Sequence, residues 1–108
     1  MKIVQCWDDG VEDDIHLIEL LRKHGAKASF NLNAGLHGSR RGGTWRYKDT
    51  KEVRRLALGE LCDVYEGFTI ANHTLTHPWL DQITPDQMRL EVVEGRERLQ
   101  DIFGQEVT

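Results

Sequence analysis

The sequence has few cysteines, no excess of cations and no long apolar run, and each shortage excludes a class of protein. Cys6 and Cys62 lie far apart in the chain, so there is neither a Cys-x-x-Cys motif nor a disulfide framework, and we expect two reduced, largely buried thiols. The 14 Lys+Arg against 18 Asp+Glu give a formal charge of −4, which argues against nucleic acid as the main partner. Because the apolar runs are only a few residues long, no membrane span is expected. The N-terminus also has no apolar stretch of signal-peptide length, which predicts a cytoplasmic location by default.

The first part of the chain has the pattern of a strand, a helix and a second strand. Lys2–Trp7 is a short apolar run, and Val11–His24 carries apolar residues at helical spacing before Gly25, which is typical of a helix cap. Ala28–Leu32 then predicts a second strand. A strand, a helix and a strand in succession form a βαβ unit, which predicts a parallel sheet and an α/β fold. The 108 residues suit a single domain.

A glycine-rich segment follows. Ala34–Thr44 lacks the Gly-Lys-Ser/Thr of a phosphate-binding loop, and we interpret it as a surface connection. Trp45 and Tyr47 beside it are interpreted as packing residues, with stacking on a ligand as the alternative.

The second half of the chain predicts two helices and one more strand. Thr50–Leu61 is predicted as a helix whose inner side carries Val53, Leu56, Ala57 and Leu61, and Phe68–Ala71 as a third strand. A final helix begins at the N-cap Thr84 and ends at Gly104. Its start is marked by Pro85 and by the capping-box residue Gln87, and its apolar residues at helical spacing are Met88, Val92, Leu99, Ile102 and Phe103.

Polar side chains that suit a metal follow two of the predicted strands. Asp8 and Asp9 come where the first strand ends, and His73 and His77 follow the third strand, four residues apart, which on a helical turn places both imidazoles on one side. Taken singly, an Asp-Asp-Gly triplet is typical of a turn and a histidine pair of an exposed surface. Together, two imidazoles and one carboxylate at the carboxyl ends of parallel strands are the ligand set of a catalytic zinc site with an open position for water. The other three histidines, at His16, His24 and His37, are assigned ordinary surface or capping roles, although the loop of His37 can approach the site.

Four segments resemble the polysaccharide deacetylase family, the NodB-homology domain of carbohydrate esterase family 4. They are Trp7–Gly10, Leu20–Gly25, Ala26–Phe30 and Asn72–Pro78, and they occur in the family's order on the expected elements. The resemblance covers nearly the whole chain and implies the N-terminal half of a distorted (β/α) barrel of TIM-like type.

The resemblance also implies a set of roles for the residues that match the family's motifs. Asp9, His73 and His77 are expected to bind one divalent metal, usually zinc, and Asp8 to act as the general base. Thr74 matches a hydroxyl position that braces the histidine loop. The same ligands also suit cobalt, nickel or iron.

A family domain is roughly twice as long as this chain, and its second half supplies an Arg-x-Pro segment and a later histidine acid that are not found here. We therefore expect residues 1–108 to form a single partial domain, weakly active or inactive alone. The implied activity is metal-dependent hydrolysis of non-peptide amide bonds, removing N-acetyl groups from a carbohydrate. Hydrolysis of a small cyclic amide or ureide, and a non-catalytic metal-binding or assembly module, stay open as alternatives. An open half barrel with an uncovered apolar face also predicts a homo-oligomer, such as a homodimer.

Overall fold

The structure is a computed structural model that describes residues 1–108. The elements, in chain order, are β1 (Cys6–Asp8), α1 (Asp14–Lys23), β2 (Ser29–Leu32), β3 (Gly42–Tyr47), β4 (Lys51–Arg55), α2 (Leu61–Val64), β5 (Thr69–Asn72) and α3 (Pro85–Phe103). Short 3₁₀ turns lie at Ala34–Leu36, Leu58–Glu60 and Leu80–Gln82. No helix has the length and apolar character needed to cross a membrane.

Three parallel strands form the central sheet in the order β1–β2–β5. The predicted parallel sheet is confirmed, although β1 is shorter than expected, because residues 2–5 lie outside it and Ile3 and Val4 are exposed. Asn72 N–H donates to the carbonyl of Thr108 at 3.0 Å, so the last residues of the chain run beside β5.

The two faces of the sheet differ in chemistry. In register across the strands, Trp7, Phe30 and Ile70 point to one face, and Phe30 and Ile70 are buried beneath the helices. The other face carries small or polar residues: Cys6, Asp8, Ser29, Asn31, Thr69 and Ala71. The expectation of an uncovered apolar face is therefore wrong for the sheet itself.

The core lies between the sheet and the helices. Ile18 and Leu21 of α1 and Leu99 of α3 pack against it, and Tyr65 stacks near Phe30 with ring centroids 4.9 Å apart. The apolar stripe predicted for α3 is only partly correct. Leu99 is buried, and Ile102 and Phe103 pack at the edge of the core. Met88 and Val92 are exposed, however, and the helix turns Glu91 and Gly95 inward instead.

The helix predicted over residues 50–61 is wrong, because the segment begins with strand β4, Lys51–Arg55, and continues into the 3₁₀ turn Leu58–Glu60. β3 and β4 form an antiparallel hairpin, reversed at Lys48 and Asp49, whose φ angles of 50° and 55° are left-handed. Val53 is buried while both its neighbours are exposed, which is the alternation of a strand. The predicted inner residues Leu56 and Leu61 are nevertheless buried. The surface connection predicted over residues 34–44 also contains a 3₁₀ turn and the start of β3.

Both cysteines are free, as predicted, but both are exposed rather than buried. Cys6 lies on the open face of the sheet, and the thiol of Cys62 contacts the carbonyl of Ile102 at 3.1 Å.

Candidate metal centre

The candidate site lies at the carboxyl ends of β1 and β5, the edge at which ligands collect in parallel sheets. Asp8 is the last residue of β1 and Asp9 follows it, while His73 comes directly after β5 and His77 four residues later. Strands β1 and β5 flank β2, and their carboxyl ends therefore bring together residues that are more than sixty positions apart in sequence.

Three side-chain atoms converge at this edge. Asp9 Oδ1 lies 3.8 Å from His73 Nε2 and 3.6 Å from His77 Nε2, and all three ligand atoms lie within 4.8 Å of one another. Asp9 Oδ1 is buried and accepts no hydrogen bond. A buried carboxylate oxygen without a partner requires an explanation, and two imidazole nitrogens beside it complete the donor set that Zn²⁺ takes in three-ligand catalytic sites. These residues therefore fit a divalent metal.

The loop after β1 sets the directions of the two carboxylates. Asp9 and Gly10 have φ angles of 77° and 65°, so two successive left-handed residues turn the chain sharply. Asn31 of β2 fixes this loop twice, because its Nδ2 donates to Asp8 Oδ1 at 2.7 Å and its carbonyl accepts from Asp9 N–H at 3.0 Å. Asp8 is thus held at one oxygen by a neutral amide.

His37 supports the same loop from beneath, so a surface or capping role is wrong for it. The side chain is buried, and its Nδ1 donates to the carbonyl of Leu56 at 2.8 Å. Burial lowers the pKa of His37 below its usual value, which keeps the ring neutral. A Cβ at Gly10 would lie 2.5 Å from His37 Cε1, so only glycine fits above this ring. His16, in contrast, is exposed on α1 beside Glu19, as expected.

The two histidines lie on an irregular turn, not on the predicted helical turn. Thr74 and His77 have left-handed φ angles of 69° and 60°. Thr74 Oγ1 accepts from the backbone N–H of His77 at 3.1 Å, and the Nδ2 of Asn33 donates to the carbonyl of His73. The imidazole centroids are 4.8 Å apart with the rings at 73°, and both Nε2 atoms lie within 4 Å of Asp9 Oδ1. Thr74 thus joins the two ends of the loop that carries the histidines.

The sequence model of the polysaccharide deacetylase family matches residues 1–108. The chain belongs to the polysaccharide deacetylase family.

Solved deacetylases share the fold. The chain is 23% identical to the Streptococcus pyogenes deacetylase PplD in complex with acetate, with a TM-score of 0.76, over 97% of this chain and 42% of that one. It is 21% identical to BC0361, a polysaccharide deacetylase from Bacillus cereus, with a TM-score of 0.71, over 97% of this chain and 31% of that one. The chain is 23% identical to the Bc1960 peptidoglycan N-acetylglucosamine deacetylase, with a TM-score of 0.65, over 95% of this chain and 42% of that one. The chain therefore spans less than half the length of each, and the predicted partial barrel is confirmed as the fold.

In this family member the β3–β4 hairpin is packed against the loop that carries the two aspartates. Leu56 N–H donates to the carbonyl of Gly10 at 2.9 Å, and Glu12 N–H to that of Arg54 at 2.8 Å. The guanidinium of Arg55 lies 4.6 Å from the ring centroid of Trp45, which confirms Trp45 as a packing residue. Burial lowers the pKa of Arg55, and the charge of Asp9 opposes that shift. Tyr47 is 56% exposed, so packing is wrong for it.

The structure brings Asp9, His73 and His77 together, with Asp8 directly before Asp9 and Thr74 directly after His73, and it adds supports that the sequence analysis missed. Asn31, Asn33 and His37 each hold a site loop through a contact that joins distant segments. The one available signal was two asparagines, Asn31 and Asn33, in and directly after a strand, where asparagine is uncommon.

Proposed function

We propose that this chain carries the metal-binding half of a metal-dependent deacetylase that removes N-acetyl groups from a carbohydrate. The observation that supports this most directly is the convergence of Asp9, His73 and His77 around a buried, unpartnered carboxylate oxygen. Membership of the polysaccharide deacetylase family supports hydrolysis of this type.

Asp9 Oδ1, His73 Nε2 and His77 Nε2 would hold the metal, with zinc favoured by the two nitrogens and one oxygen. Held there, the metal would supply a Lewis acid for the amide carbonyl and would lower the pKa of a bound water to about 7. Thr74 keeps His77 in place through the turn. Cobalt, nickel or iron are the alternatives that a metal analysis would distinguish.

Asp8 is proposed as the general base. Asn31 occupies one of its oxygens, which fixes the carboxylate and leaves the second oxygen to take a proton from the attacking water. Because the Asn31 amide is neutral, it orients Asp8 without adding a positive charge that would weaken it as a base. Asp8 and Asp9 thus take separate roles because their neighbours differ.

We also propose that the chain alone turns over only weakly. No histidine follows His77, so the chain has no second-half histidine to protonate the leaving amine, a role worth about 10²–10⁴-fold. We also propose that two copies of this chain associate through the exposed edge of β1 and so cover the half barrel. Ile3 and Val4, beside that edge, are 77% and 84% exposed.

The test is acetate release from N-acetylglucosamine oligomers by the zinc-loaded chain, compared with Asp8→Asn. We expect a slow but measurable rate that falls by about 10²–10⁴-fold in Asp8→Asn, with zinc still bound. Asp63→Asn, an exposed carboxylate on α2, is the matched control and should not change the rate.

Equal rates in Asp8→Asn and in the original chain would contradict the role of Asp8. Zinc binding with no acetate release at any chain concentration would favour the non-catalytic module. Release of product from a cyclic ureide, with none from the sugar oligomers, would favour the small-amide alternative.

A further inference from the structure

One buried carboxylate outside the metal ligands contacts the histidine turn. Glu91 of α3 is 9% exposed, and its Oε2 accepts from the backbone N–H of Thr76 at 2.7 Å while its Oε1 accepts from Thr76 Oγ1 at 2.7 Å. Its own carbonyl also accepts from Leu75 N–H at 3.0 Å. Glutamate is rarely buried unless it is paired, and here both oxygens are used on one residue of the turn.

The helix meets the turn with no spare room. A Cβ at Gly95, one turn further along α3, would lie 2.6 Å from Asn72 Oδ1 and 3.0 Å from Leu75 N. Glycine therefore lets α3 approach closely enough for the Glu91 side chain to reach Thr76. Helix α3 therefore contacts the turn at two successive helical turns, at Glu91 and at Gly95.

The supports of the turn change along its length. Asn33 donates to the carbonyls of His73 and Thr74, while Leu75 is held from both sides, because its carbonyl accepts from Gly35 N–H at 2.8 Å and its N–H donates to the carbonyl of Glu91. Thr76 is held from α3 alone. It directly precedes His77, whose left-handed φ of 60° is unfavourable for a residue with a side chain and persists only where the surroundings impose it.

We propose that Glu91 is a positioning residue that sets the backbone of Thr76 and thereby aims His77 at the metal. This inference rests on the proposed metal centre. Glu91 does not touch the three ligand atoms; it acts through two hydrogen bonds to the residue before His77. A carboxylate acceptor makes these hydrogen bonds charge-assisted, which is roughly twice as strong as a neutral pair.

The test measures Zn²⁺ binding by isothermal titration calorimetry on the full chain, at a temperature at which circular dichroism shows each metal-free variant to be folded. Glu91→Gln preserves shape but replaces one acceptor oxygen by a donor NH₂, so we expect the Kd for Zn²⁺ to rise about tenfold. Glu97→Gln, an exposed residue on the same helix, is the matched control and should bind Zn²⁺ as the original chain does.

A second variant keeps the test decisive if Glu91→Gln fails to fold. Thr76→Val removes only the hydroxyl and leaves the backbone bond to Glu91, so we expect a smaller rise in Kd. If Glu91 acts through Thr76, the double variant should show less than the product of the two single effects.

The outcomes separate the two proposals. If the original chain binds no Zn²⁺, the metal centre itself is overturned and the positioning role falls with it. If the original chain binds Zn²⁺ and folded Glu91→Gln and Thr76→Val bind it within about twofold of the same affinity, only the positioning role is overturned. A variant that melts at a lower temperature but binds Zn²⁺ normally shows a structural role alone and also overturns it.

Discussion

Three aspartates near the start of the chain sit in three different environments. Asp8 accepts a hydrogen bond from the neutral side-chain amide of Asn31, and Asp9 has a buried oxygen without a hydrogen-bond partner. Asp14, the first residue of α1, is 4% exposed and accepts a hydrogen bond from Tyr65 Oη at 2.5 Å. Burial raises the pKa of Asp14 from 3.8 to about 6, against the opposing effect of the Tyr65 hydrogen bond. The same residue type is therefore suited to a base, a ligand and a structural contact.

The raised pKa of Asp14 predicts a pH-dependent stability. The folded protein binds this proton more tightly than the unfolded chain, so the stabilisation is present below pH 3.8 and is lost as the pH rises through about 6. Asp14→Asn stays neutral and still accepts from Tyr65. Its unfolding free energy, relative to the original chain, should rise by up to about 3 kcal/mol between about pH 4 and pH 7.

Urea unfolding of both proteins across that range checks this prediction. The comparison cancels the opposite contribution of His37, whose lowered pKa is common to both. A constant difference between Asp14→Asn and the original chain would show that Asp14 is not perturbed by burial.

At the scale of elements, short sequence patterns predicted the features that depend only on neighbouring residues. The cap of α3 is readable from sequence because Thr84, Pro85 and Gln87 make a capping box within four residues, and the structure forms it. The β3–β4 hairpin was missed because it turns at Lys-Asp, not at the Asn-Gly or Asp-Gly that marks such turns. With no turn signal, the apolar residues of that segment matched helical spacing equally well.

The candidate site was predictable for a different reason. Asp8, Asp9, His73 and His77 follow strands, and the rule that parallel strands end together places them at one edge. The polar residues Asn31 and Asn33 could be noticed in the sequence, but their partners, and those of His37 and Glu91, could not be predicted, because these contacts join segments far apart in sequence. Such contacts depend on side-chain packing, which no local pattern encodes.

The loop after β1 predicts a contrast between two glycines with similar backbone angles. Gly10 and Gly25 have φ of 65° and 60°, but a Cβ at Gly10 meets the His37 ring whereas one at Gly25 meets nothing within 4 Å. Gly25→Ala should lower the unfolding free energy by about 1–2 kcal/mol through the backbone alone. Gly10→Ala should lower it by about 2–5 kcal/mol, because overpacking adds to the backbone cost.

Chemical unfolding followed by circular dichroism measures the unfolding free energies of both variants. Equal losses of unfolding free energy in the two variants would mean that the His37 ring moves aside at little cost. The loop that carries Asp8 and Asp9 would then not depend on support from His37.

At the scale of the whole molecule, the sheet is covered on one face and open on the other. The open face carries polar and small residues that lead up to Asp8, while the edge of β1 is unpaired beside Ile3, Val4 and the 40%-exposed Trp7. Exposed strand edges beside apolar residues favour association with another strand. The three solved deacetylases are each more than twice as long as this chain. The proposed dimer is therefore a proposal about residues 1–108 alone.

The central claim is that Asp9, His73 and His77 form one metal site, and native mass spectrometry after zinc addition and desalting tests it most directly. We expect one zinc per chain on a dimer, and loss of that zinc in His73→Ala and His77→Ala, with His16→Ala as the exposed control that keeps it. A folded chain that carries no zinc, or zinc that survives both substitutions, would contradict the account.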